Sequence, residues 1–156
     1  MRRFRPVHAV ALVAAVFAVV LGAQQLLYGN ANRFTRVGPD AQGKVVLPVG
    51  ELAPAEVRFY RFLNPGNQEV RFFVGRDETG ALFAAFDASD NDFKLDRGFH
   101  ADDGWIVNNK CTSSFRLSEI ASHPSGCAPV PIAFARDGER VVITEDELLA
   151  GWRYFR

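Results

Sequence analysis

Two apolar runs, residues 70–75 (VRFFVG) and 81–86 (ALFAAF), stand on either side of Asp77-Glu78-Thr79-Gly80. Runs this short, rich in Phe and Val and bounded by turn residues, read as strands. The D-x-x-G segment between them reads as a tight turn, because the aspartate can bond its own backbone and glycine tolerates a positive φ. Residues 56–63 (EVRFYRFL) precede the pair across Asn64-Pro65-Gly66-Asn67, a second turn by composition. Their alternation is imperfect, as expected of a strand partly covered on both faces. A three-stranded antiparallel meander is therefore fixed at the centre of the chain.

Further strands fall around it. Residues 44–49 (KVVLPV) read as a short strand that Pro48 confines to an edge. Trp105-Ile106-Val107 read as another, with Asn108-Asn109-Lys110 turning at its end. Phe115 and Leu117 fit a short strand or a helical turn leading to Ile120. Residues 132–135 and 140–143 flank Asp137-Gly138 and make a last hairpin. Thr144 with Glu147 three residues on is a capping box, and Glu145 and Asp146 suit the positive end of a helix dipole. That helix is expected to reach Ala150 and end at Gly151, with Trp152, Tyr154 and Phe155 packing back. The fourteen phenylalanines recur at strand-like spacing and are read as core. The expected fold is mainly β: a small antiparallel domain over residues 44–156, of six or seven strands, with one C-terminal helix.

The N-terminus sets the compartment. Arg2, Arg3 and Arg5 precede an apolar run from Ala9 to Ala23, extended through Gln24 and Gln25 to Tyr28. A bilayer core of about 30 Å takes roughly 20 residues of helix, which residues 8–28 just supply. The basic flank keeps its own end cytoplasmic, so residues 1–28 are expected to be a single-pass anchor in the inner (cytoplasmic) membrane. Residues 29–43, polar and without an apolar period, read as a linker, and the domain lies in the periplasm or outside. A cleaved signal peptide is the rival; Leu21 stands where a cut after Ala23 wants a small residue. Both readings export the domain. The 18 Lys and Arg balance the 18 Asp and Glu, so no electrostatic case exists for nucleic acid.

Both cysteines, Cys111 and Cys127, lie in residues 86–129, with the densest turns and an acidic loop. The succession VRFFV, D-x-x-G, AAFDA, then N-N-K-C and G-C resembles the FtrD-like family of membrane iron–sulfur proteins over roughly residues 45–155. The resemblance implies a membrane-tethered bacterial protein linked to iron uptake and electron transfer. It also implies an iron–sulfur cofactor and a membrane-protein partner in metal transport or electron transfer. The family pattern has C-D-x-C after AAFDA, C-x-x-C on the next hairpin, and a G-C followed by proline. Here Ser89 and Asp92 replace the first pair and Asn108 the first cysteine of the second, leaving Cys111 and Cys127. Cysteine-bearing loops on successive hairpins suggest, by fold-level analogy only, a Rieske-like arrangement.

Several site chemistries remain open on the residues. An all-thiolate cluster wants four thiolates, and the chain has two. A Cys111–Cys127 disulfide would close a loop of about 15 residues, worth about 3 kcal/mol in the chain-entropy account. His100, Cys111, His123 and Cys127 would together offer two nitrogens and two sulfurs, suiting zinc, copper or a Rieske-like centre. Only His123 and Cys127 are close in sequence, and neither histidine falls on a family cysteine position. Asp87, Asp90, Asp92 and Asp96, with Asp102 and Asp103 nearby, could offer hard oxygens to calcium or iron, or form a solvated turn. No catalytic motif frames Ser113, Ser114 or His123, and Asn108 removes the C-x-x-C of a thiol oxidoreductase. An enzymatic role is not expected. The alternative function is a cluster-free, disulfide-stabilised assembly module for a membrane partner.

Overall fold

The computed structural model describes residues 13, 15–20, 33–91, 93–122 and 126–156. The chain divides into two compact units, Met1–Arg33 and Phe34–Arg156. Residues 15–20 of the first unit are helical, and Val16, Phe17 and Val19 are exposed. No helix among the described residues is long and apolar enough to cross a membrane. The remainder of the expected spanning segment lies outside the described residues.

The described residues of the second unit form eleven strands in three sheets. The five-stranded central sheet has the order β1 (Phe34–Val37), β3 (Val57–Leu63), β4 (Glu69–Arg76), β5 (Leu82–Ser89), β9 (Pro129–Pro131). A second sheet joins β10 (Ala135–Asp137), β11 (Arg140–Thr144) and β2 (Lys44–Pro48). The third contains β6 (Phe99–Asp102), β7 (Trp105–Asn108) and β8 (Ser114–Arg116). The expected meander is β3–β4–β5, paired antiparallel. In its second turn Asp77 Oδ1 accepts from the amides of Thr79 and Ala81, and Gly80 sits at φ +89°.

The central sheet is covered on both faces, which is why its strands read as nearly continuous apolar runs. On one face Tyr60, Phe62, Phe72, Val74 and Phe86 pack with Val45, Leu47, Val141 and Ile143 of the second sheet. On the other, Phe59, Phe73 and Ala85 meet Phe99, Ile106, Leu117 and Ile120. Helix α1 (Glu145–Ala150) closes the first face through Leu148; Thr144 caps it by accepting from the Glu147 amide. Gly151 ends α1 against the ring of Phe86, where a Cβ would lie 2.2 Å from Cε1. Gly151→Ala is therefore expected to cost about 1–3 kcal/mol by overpacking, read as a fall in the denaturant midpoint at unchanged slope.

Three expectations are corrected here. The stretch read as a linker contains β1, which runs parallel to β3 with Phe34 opposite Phe59. The described residues hold eleven strands where six or seven were expected, because β1, β6 and β9 are only three or four residues long and carry little pattern. The two cysteine loops are not on successive hairpins. Cys111 lies in the β7–β8 turn, whereas Cys127 leads into β9, which pairs with β5 at the edge of the central sheet. The Rieske-like pair of hairpins does not form. A proline at each end of β9 removes donors from that edge.

Candidate functional site

The site lies where the end of β5, the β7–β8 turn and the approach to β9 converge. Along β5, Ala84, Phe86 and Ala88 serve one core and Ala85 the other. Asp87 and Ser89 follow Ala85 toward β6–β8. An irregularity separates the pairs Ala85↔Pro131 and Ser89↔Pro129, setting four steps of β5 against two of β9. Such bulges re-aim side chains. Ser89 is thereby set beside the segment that carries Cys127, and the Asn91 amide donates to the Gly126 carbonyl at 3.3 Å.

Asn108 is the hub. Its side chain is 2% exposed, at the end of β7. Oδ1 accepts from the amides of Lys110 at 2.8 Å and Cys111 at 3.3 Å, while Nδ2 donates to the Cys127 carbonyl at 3.0 Å. One carboxamide thus holds the backbones of both cysteines. Both are half-buried; Cys111 carries a free thiol, so the Cys111–Cys127 bond weighed from the sequence is not formed in this structure.

Asp87, 2% exposed, accepts from the Phe99 amide at 2.7 Å. Its other oxygen lies 3.8 Å from Arg71 Nε. Arg71 also pairs with Asp96, and its guanidinium sits 5.7 Å from the ring centre of Phe34 and 5.4 Å from that of Phe155. Gly98, at φ +59°, leaves room for this carboxylate: a Cβ there would lie 2.4 Å from Asp87 Oδ2. Asp90 accepts from the Tyr154 hydroxyl at 2.9 Å. Burial raises the Tyr154 pKa above its ordinary value; the Arg153 hydrogen bond opposes this and the Asp90 bond adds to it.

The acidic loop is accordingly not a simple solvated turn. Asp87 and Asp96 are committed to Arg71, and Asp90 to Tyr154. His100 is exposed on β6, its Nδ1 2.6 Å from Asn109 Oδ1. It pairs with Val107, so its side chain lies on the opposite face of the hairpin from Phe99 and Asn108. Asp92 and His123 lie outside the described residues. Among the described residues no three His, Cys, Asp or Glu side chains are placed to hold a metal ion. Arg71 was not singled out in the sequence, and Asn108 was named there only as a replaced cysteine position, not as a hydrogen-bonding hub. The signal for Arg71 was a cation inside an apolar run, where burial demands a partner.

Within the three-sheet β domain, the Asn108 carboxamide ties the Cys111 turn to the Cys127 segment. The chain belongs to the FtrD-like family; a model described as membrane iron–sulfur containing protein FtrD-like matches residues 52–155. No curated protein and no solved structure matches it. The cofactor in the family description can be tested against these residues. Two cysteines fall short of the four thiolates of an all-thiolate cluster. Asn108 is occupied with three backbone groups. The cavity bordered by Asp87, Ser89 and Asn108 measures about 10 Å³, the room of about one water molecule. The described residues of one chain do not fit an iron–sulfur cluster.

Proposed function

We propose that this is a membrane-tethered, extracytoplasmic accessory protein of a metal (iron) transport or electron-transfer assembly. In it the old cluster pocket serves as a structural joint, and the domain works as an interaction module for a membrane partner. The observation that carries the reading is the Asn108 carboxamide, which holds both cysteine backbones from within the pocket. A neutral side chain with its hydrogen bonds satisfied supplies rigidity without the desolvation cost of a buried charge. Support for the tether comes from the family's membrane description and from the exposed apolar residues of the first unit. The basic flank before those residues supports export of the domain.

The test is the full chain, exported to an oxidising compartment and purified as a monomer, with iron, acid-labile sulfide, visible absorbance and free thiols measured under denaturation. Iron and sulfide well below one per chain are expected. Stoichiometric iron and sulfide with visible cluster absorbance would overturn the reading. The thiol count reports separately whether Cys111 and Cys127 are oxidised outside the cytoplasm.

A further inference from the structure

Among the described residues, one end of the second unit exposes apolar and cationic side chains together. The short turn Phe93–Leu95 lies beside the C-terminal turn Trp152–Phe155, joined by the edge-on contact of Phe93 with Tyr154 at 5.8 Å. Outside that contact Leu95 is 50% exposed and Trp152 39%. Arg156 stacks on the Trp152 ring at 3.6 Å, and Lys94, Arg97 and Arg153 are exposed around them. None of these four cations forms a salt bridge with a described residue. Asp87 and Asp96 pair with Arg71, and Asp90 accepts from Tyr154; Arg153 donates to the Tyr154 hydroxyl at 2.6 Å and is also held in its charged form by Asp90.

This is also the end at which the chain joins the unit. Phe34, the first residue of β1, and Phe155 both flank the Arg71 guanidinium. The Phe155 carbonyl is held by Gln68 Nε2 at 2.9 Å, which fixes the C-terminal turn on the central sheet. The tether proposed above would keep the domain at a membrane, which supplies a surface for this end.

We propose that the face formed by Leu95, Trp152, Lys94, Arg97, Arg153 and Arg156 docks on the surface of an anionic phospholipid bilayer. Trp152 and Leu95 enter the interfacial layer, where an amphipathic ring is favoured, and the cations meet lipid phosphates. The proposal rests on the tether argued above, and adds which face of the domain turns to the membrane.

The test uses the full chain, reconstituted in vesicles. The chain has two tryptophans, so Trp105→Phe leaves Trp152 as sole reporter. Vesicles of phosphatidylcholine, with or without phosphatidylglycerol and carrying brominated acyl chains, are compared. Flotation reads the tether, and quenching of Trp152 reads the docking. Expected are flotation with both lipids, a blue shift and quenching with phosphatidylglycerol, and loss of quenching but not flotation in a Lys94→Glu, Arg156→Glu variant. Flotation with Trp152 unquenched would overturn the docking and leave the tether standing, pointing to a protein partner for this face. Equal quenching on neutral lipid, or quenching unchanged by the charge reversals, also overturns it. A chain that does not float overturns the tether, and the docking with it.

Discussion

Arg71→Met is expected to destabilise the domain by about 3–5 kcal/mol, the usual cost of removing one partner of a buried ion pair. Asp87 is 2% exposed and would lose the cation beside its second oxygen, retaining the Phe99 amide on the first. The loss extends beyond the pair. Arg71 also bonds Asp96 and lies against Phe34 and Phe155, so it joins the first strand, the acidic loop and the C-terminal turn. Methionine restores the stem but none of these polar contacts. Chemical denaturation gives the measurement: the midpoint should fall at nearly constant slope. Adding Asp87→Asn to Arg71→Met should recover part of the loss, because a neutral group then replaces the buried carboxylate that Arg71 faced and an oxygen still faces the Phe99 amide. A single variant as stable as the parent would show that Asp87 is neutralised by other means.

The second large effect is expected at Asn108. Asn108→Ala strips partners from the Lys110 and Cys111 amides and from the Cys127 carbonyl at once. A buried polar group left unmade costs about 1–3 kcal/mol, and water entering the opened pocket offsets part of the sum, so about 2–4 kcal/mol is expected. Amide hydrogen exchange localises the effect: Lys110 and Cys111 should exchange much faster than the β3–β4 amides. Asn108→Asp separates the two ends of the carboxamide. It keeps an acceptor for the two amides but sets an oxygen against the Cys127 carbonyl, so it should loosen the Cys127 segment while sparing the turn. Equal exchange in Asn108→Ala and the parent would remove Asn108 from its place at the hub.

Much of the local structure could be read from residue types alone. The Asp77–Gly80 turn follows from an aspartate that bonds its own backbone and a glycine at positive φ. The end of the chain was equally legible: Thr144 is a hydroxyl in position for the Glu147 amide, and Gly151 ends the helix as expected. Pro48 marked β2 as an edge strand, and the sheet order places it at one. In the turn and the helix cap the determining contacts lie within about four residues, and at β2 the signal is a single residue that lacks a donor.

The site was legible only as a set of positions. The resemblance placed Ser89, Asn108, Cys111 and Cys127 in one constellation. What fills it could not be read, because Asn108 contacts Cys127 across nineteen residues. Asp87 looked like one of several loop aspartates, yet it is buried where β5 turns toward β6–β8. Nothing in D-A-S-D distinguishes an aspartate that points into a core from one that points into water. The cation that accepts it is sixteen residues earlier on a neighbouring strand.

The sequence by itself determined the β class, the central meander, the capped helix and the shortage of thiolates, since these depend on local chemistry and on counting. Only the tertiary structure decided that the central sheet is covered on both faces, that β1 joins it in parallel, and that a carboxamide closes the pocket. Those outcomes depend on which surfaces meet across long stretches of chain, and apolar burial rewards many such pairings nearly equally until the whole set is packed at once.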